Sequence, residues 1–134
     1  MRLSGLGWCG TSGAELKSAG QALLALQRPD GGWGGNPHMR SDAFATGVAL
    51  VVLAESKVTR VSDSAYRRGV EFLLSNQFPD GSWHVRSRAI KFQPYFESGF
   101  PFGHDQWIST AATAWAAQAI ALSLQPSGVV ANVR

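Results

Sequence analysis

The chain is short of charge, of cysteine and of long apolar runs. Charged residues fill 16% of its 134 positions, against roughly 25% in average soluble domains. With 45% apolar residues it is nonetheless too hydrophobic for a disordered protein. A lone thiol, Cys9, excludes an internal disulfide and leaves no thiol pair for zinc. Neither an oxidising nor a reducing compartment is therefore demanded. No stretch nears the ~20 apolar residues of a membrane span. The opening residues 1–10 carry one basic side chain and an apolar run too short and too glycine-broken for a secretion signal. The chain thus reads as cytoplasmic or peripheral to a membrane, with no transmembrane span and no signal peptide. A net charge of +3 is too mild for a polyanion partner. Arg86, Arg88 and Lys91 make a small basic patch, but no nucleic-acid reader motif accompanies it.

What is present is repetition. Gln27-Arg28-Pro29-Asp30-Gly31-Gly32-Trp33 returns 50 residues later as Gln77-Phe78-Pro79-Asp80-Gly81-Ser82-Trp83. Five residues are identical at fixed spacing, and each copy follows an apolar run, Leu23–Leu26 and Phe72–Leu74. Repeats decide the architecture and are read first.

Around these turns the apolar spacing is helical. Leu16, Ala19, Leu23 and Leu26 share one face of a helix expected over 13–27, with Ser12 and Glu15 as a capping box. Ser41 or Asp42 caps a second helix to about residue 55, whose body from Ala43 to Ala54 has no polar face and requires protein around it. Ser62 or Asp63 opens a third to about residue 77, with Tyr66, Val70, Leu73 and Leu74 turned inward. A fourth, alanine-rich and mostly apolar, spans 106–124. The order is amphipathic helix, turn, apolar helix, twice. Matching Ala45–Ala49 to Ala112–Ala116 gives an offset of 67, so 17 extra residues lie after the second turn. The resulting loop, 84–105, is long and aromatic, and such loops in helical domains are usually functional or cover a surface.

The turn residues have structural reasons. Pro presets φ, Asp bonds backbone N–H groups ahead of it, and Gly supplies φ > 0. A glutamine amide at a helix end reaches orphan carbonyls, and the Trp plate covers the joint. Gln27, Asp30, Gly31 and Trp33, with Gln77, Asp80, Gly81 and Trp83, are therefore read as structural fasteners.

This Gln-x-x-Asp-Gly-x-Trp pattern between helices resembles the QW repeat of squalene and oxidosqualene cyclases, within the terpenoid cyclase and protein prenyltransferase group. The resemblance covers about residues 13–124 and is nearest to the family's C-terminal half. It implies an all-α fold, a partial α/α toroid of about four main helices in two helix–turn–helix repeats. The implied organisation is a frayed segment 1–12, repeats at about 13–55 and 63–124, and a disordered tail 125–134. A closed toroid needs many more helices, and two apolar helices cannot be covered by two amphipathic ones without exposing an apolar patch. The chain is therefore expected to be a piece of a longer protein, or else to self-associate.

The departures from the family fall on the catalytic positions. Hopene-forming cyclases protonate their substrate from an Asp-x-Asp-Asp-Thr-Ala segment. Aligned on Thr46, this chain reads Asp42-Ala43-Phe44-Ala45-Thr46, with Phe44 at the proton-donating place. Asp42 reads first as an N-cap, and His84 as a surface residue. Asp42, His104 and Asp105, with Glu97 nearby, are the acid/base candidates at the heads of the apolar helices. The resemblance implies an isoprenoid or another apolar small molecule as partner, with Phe44, Tyr95, Phe96, Trp107 and Trp115 as candidate lining, aromatic faces being able to stabilise carbocations. No metal set and no cofactor is expected. If the parent is an enzyme, it is an isomerase of the squalene–hopene cyclase type. The alternatives are a non-catalytic scaffold or a prenyl-substrate-binding protein.

Overall fold

Ser12 and Asp42 start the first two helices through their side chains. Ser12 Oγ accepts the Glu15 N–H at 3.4 Å and donates to Glu15 Oε2 at 3.0 Å. Asp42, in extended backbone, accepts the Ala45 N–H at 2.8 Å. Each satisfies one of the orphan donors of a first helical turn. Asp63 caps the third helix by position only, because its carboxylate accepts the Arg60 N–H of the preceding turn at 2.9 Å.

The computed structural model describes residues 12–89 and 96–125. Among them the fold is all-α: α1 (Gly13–Ala25), α2 (Ala43–Glu55), α3 (Ser64–Ser75) and α4 (Gln106–Leu124), the last entered through a 3₁₀ turn at Gly103–Asp105. The described residues hold no strand, and none of their helices is long and apolar enough to cross a membrane.

The apolar helices α2 and α4 form the centre. Leu50, Val51, Ala112, Ala116 and Ala119 are completely buried, and Leu53 nearly so. Small residues allow this pair to approach closely. An ideal Cβ on Gly47 would lie 2.8 Å from Ala116 N and 2.9 Å from Trp115 Cβ, so the backbone of α2 rests directly on α4. α3 packs against both. Tyr66 is buried and donates its hydroxyl to the Ala119 carbonyl at 2.8 Å; burial pushes its phenol up to about 12. α1 lies beside α2, tied by the Trp33 indole N–H to the Leu23 carbonyl at 2.8 Å.

Several expectations need correction. α1 stops at Ala25 and α3 at Ser75, two residues short of their glutamines, because the turn hydrogen bonds take over there. Leu26 and Leu74, expected inward, are 60% and 53% exposed. Leu26 follows the last residue of α1, and Leu74 lies a hundred degrees round α3 from the buried Leu73. The expected frayed start, the tail from residue 126 and the loop residues 90–95, including Tyr95, lie outside the described residues.

Candidate functional site: the paired turns and the helix heads

The two turns share one set of hydrogen bonds. Gln27 Nε2 donates to Gly31 O at 2.9 Å, and Gln77 Nε2 to Gly81 O at 3.1 Å. Asp30 accepts the Gly32 N–H at 2.9 Å, and Asp80 the Ser82 N–H at 3.0 Å. Gly31 and Gly81 take φ of 86° and 84°, the left-handed region that glycine enters without a Cβ penalty. Each tryptophan then makes two ties. Its indole N–H reaches Leu23 O or Leu73 O, both at 2.8 Å. Its backbone N–H reaches Thr46 Oγ1 at 2.9 Å or Thr113 Oγ1 at 3.1 Å. Every turn thus fastens the helix before it to the apolar helix after it. Hydrogen bonds from the Ser82 hydroxyl (2.6 Å) and N–H hold the Asp80 carboxyl below its usual range.

The copies differ on their outer side. Gln27 Nε2 also donates to Ala65 O in α3 at 2.8 Å, and Arg68 donates to Gln27 Oε1 at 2.5 Å. Gly31 is buried beneath Arg68, whose carbonyl oxygen lies 2.5 Å from an ideal Cβ there. Gln77 and Gly81 are exposed, and the nearest neighbour of a Gly81 Cβ is Gln77 itself at 3.9 Å.

Past the second turn, residues 84–88 run across the heads of both apolar helices. His84 Nε2 lies 2.8 Å from Asp105 Oδ2, and the Ser87 N–H donates to Asp105 Oδ1 at 2.8 Å. Arg88 then reaches the other head, donating to Asp42 Oδ2 at 3.0 Å. Val85 N–H is held by Ser109 Oγ at 3.0 Å. Phe102 covers the pair with its backbone left-handed at φ 82°, its ring 4.8 Å from His84 and 5.2 Å from Phe78. A non-glycine residue in that region is held there by its surroundings.

These contacts assign the sequence candidates to different surroundings. Asp42 accepts from a helix N–H and from a guanidinium, the contacts of an acceptor; an acid that protonates an alkene must keep its proton beside other acid groups. Asp105 pairs with His84, an arrangement that can move a proton at an exposed surface, since the histidine side chain is 41% exposed. His104 sits in the adjoining 3₁₀ turn. Phe44 lines an apolar groove of about 440 Å³ between α1 and α2, whose rim holds Asp42 and Arg88. Trp107 donates its indole N–H to Phe96 O at 3.1 Å, and both rings are exposed. Trp115 packs over Gly47. Of these candidate aromatics, Phe44 is the one that lines this groove among the described residues.

Ser87 and Gln106 carry no signal in the sequence, while Arg88 reads there only as part of a basic patch and His84 as a surface residue more readily than as a site rim. Gln106 is wholly buried and accepts from the Ser98 N–H and hydroxyl, while its Nε2 has no acceptor among the described residues. Among the described residues no three His, Cys, Asp or Glu side chains gather as a metal set.

An all-α fold with two apolar helices fastened side by side is the class that fold and site define. The chain is similar to drimenyl diphosphate synthase of Streptantibioticus cattleyicolor, 31% identical over 75 residues. That stretch is 56% of this chain but only 14% of the enzyme's length. The similarity gives a terpenoid cyclase-like link. No protein-family model matches the chain, and no solved structure matches it.

Proposed function

We propose that this chain is a repeat segment of a terpenoid cyclase-like α/α toroid, which walls an isoprenoid-binding chamber without supplying the acid that starts cyclisation. The observation that carries this reading is the turn itself. Two copies of one hydrogen-bonded fastener set two apolar helices side by side with their heads at one end. The similarity to a diphosphate-forming terpenoid enzyme supports the substrate class. At the helix heads, the exposed Phe96 and Trp107 offer apolar surface, and Arg86 adds an exposed cation for a diphosphate. Asp42 serves there as cap and ion-pair partner, so it acts as a fastener in this reading.

The test uses the intact chain with farnesyl diphosphate. Saturable quenching of tryptophan fluorescence, weakened several-fold by Trp107→Ala, is expected, with no cyclised product by mass spectrometry. Absence of saturable binding would remove the isoprenoid reading. A cyclised product that disappears in Asp42→Asn would overturn the structural role given to Asp42.

A further inference from the structure

The internal repeat relates the faces of α2 to those of α4 by a fixed offset. Thr46 and Thr113 occupy equivalent places, since each accepts the backbone N–H of its tryptophan. With that offset of 67, every residue of α2 has a counterpart in α4. On α2, Ala43, Gly47 and Leu50 are buried, and Gly47 lies against Trp115 and Ala116 of α4. Their counterparts on α4 are Thr110, Ala114 and Ala117, and all three are exposed. Along the same row Ala54 corresponds to Ala121, also exposed. The spacing marks one stripe of a helix.

The opposite correspondence also holds. Ala112, Trp115, Ala116 and Ala119 are the α4 residues packed into the core around α2 and α3. Their counterparts on α2 are Ala45, Val48, Ala49 and Val52, and all four line the groove of about 440 Å³ beside α1. The groove thus stands in the place of a surface that, one repeat later, receives a helix like α2, with Val48 and Val52 where α4 has Trp115 and Ala119. The exposed stripe of α4 stands in the places of the surface that α2 presents, with Thr110, Ala114 and Ala117 for Ala43, Gly47 and Leu50; the Ala114 methyl sets a docked helix farther off than α4 lies from Gly47.

The outer layer repeats the relation. Gln27 is engaged by Ala65 and Arg68 in the first turns of α3, while the equivalent Gln77 faces outward. Shifted by the turn offset of 50, Ala65 and Arg68 correspond to Glu15 and Ser18 in the first turns of α1, both exposed. A neighbour placed by the repeat would bring its α1 to Gln77 as α3 is brought to Gln27.

We infer that a second copy of this chain docks head to tail, seating the exposed Thr110–Ala114–Ala117–Ala121 stripe of one copy in the α1–α2 groove of the next. The contact is heterologous, so each copy keeps one face free for a further copy until a ring closes. This inference stands on the internal repeat alone and does not depend on the isoprenoid reading.

Two single substitutions and their mixture test it. Val48→Arg places a charge in the groove, and Ala117→Arg places one on the stripe. Light scattering coupled to gel filtration should show the unsubstituted chain rising with concentration to at least twice the 14.3 kDa monomer mass. Each variant alone should stay monomeric, because every interface then lacks one live half. An equimolar mixture should return to a particle of two chains and stop there. Circular dichroism checks that each variant folds, with Ala45→Arg and Ala114→Arg as the replacement pair if either does not. An unsubstituted chain that remains monomeric overturns the inference, whether other repeats or nothing cover the faces. Two monomeric variants that fail to pair when mixed overturn it equally, as does a variant that still assembles alone.

Discussion

Gln27 and Ala65 are joined by a 2.8 Å hydrogen bond across 38 residues of chain. No bond of that reach is made by Gln77 among the described residues, although it repeats the bond of Gln27 to the turn glycine. Gln27→Ala removes two donor contacts and strands the Arg68 contact, and should cost about 2 kcal/mol at roughly 1 kcal/mol per net hydrogen bond. Gln77→Ala, in a monomeric background, should cost less than about 1 kcal/mol. Urea midpoints at unchanged slope measure both; equal losses would contradict the asymmetry.

The glycines of the two turns should separate in the same direction. Gly81→Ala pays only for left-handed backbone, about 1–2 kcal/mol. Gly31→Ala adds a Cβ 2.5 Å from the Arg68 carbonyl oxygen, which must move. A further loss of about 1–3 kcal/mol is expected from such overpacking. Thermal unfolding of the two variants side by side settles the order.

Thr46→Val keeps shape but leaves the Trp33 N–H buried without its acceptor. The expected cost is about 1–3 kcal/mol. Hydrogen exchange at the Trp33 amide should accelerate selectively, which a uniform loss of packing would not produce.

Tyr66 sets an alkaline limit. The unfolded phenol ionises near 10, while the folded one holds its proton to about 12. Above the unfolded value the unfolded state binds fewer protons, so stability falls as pH rises through this window, and the contribution is fully present below it. Tyr66→Phe should be less stable at neutral pH by about 1 kcal/mol, for the lost bond to Ala119, yet should show a shallower decline between those two pH values. An unchanged slope would mean that Tyr66 is not the group responsible.

At the helix head, cap and ion pair can be separated. Asp42→Ala loses the Ala45 cap and should cost about 1 kcal/mol. Asp42→Asn keeps an acceptor for the cap and loses only the pairing with a half-exposed Arg88, with a cost below about 1 kcal/mol that shrinks in salt. Denaturant titrations at low and high salt distinguish the two contributions.

The fasteners were legible because they are local. Gln27 with Gly31 and Asp30 with Gly32, like their copies, bond within four residues, and five matching residues announce the repeat. Asp42 was legible for the same reason, its cap partner lying three residues on. Arg88 and His84 were not, because their partners lie 46 and 21 residues away and no periodicity marks them. Leu26 and Leu74 misled because periodicity gives a face but not where a helix stops. The counterpart positions of α2 and α4 were visible as an alignment, whereas which of each pair is covered depends on which neighbour exists.

The clamp at Asp105 has a consequence for the loop that it closes. His84 and Ser87 at one end are held on Asp105 at the other, all within hydrogen-bonding distance. The closure entropy of the intervening segment is therefore offset by bonds that involve none of its interior residues. Lengthening such a loop costs only ~0.6 kcal/mol per doubling. A change in loop length is therefore expected to act on the helix heads through this clamp, while the two turns and the central helix pair keep their own bonds.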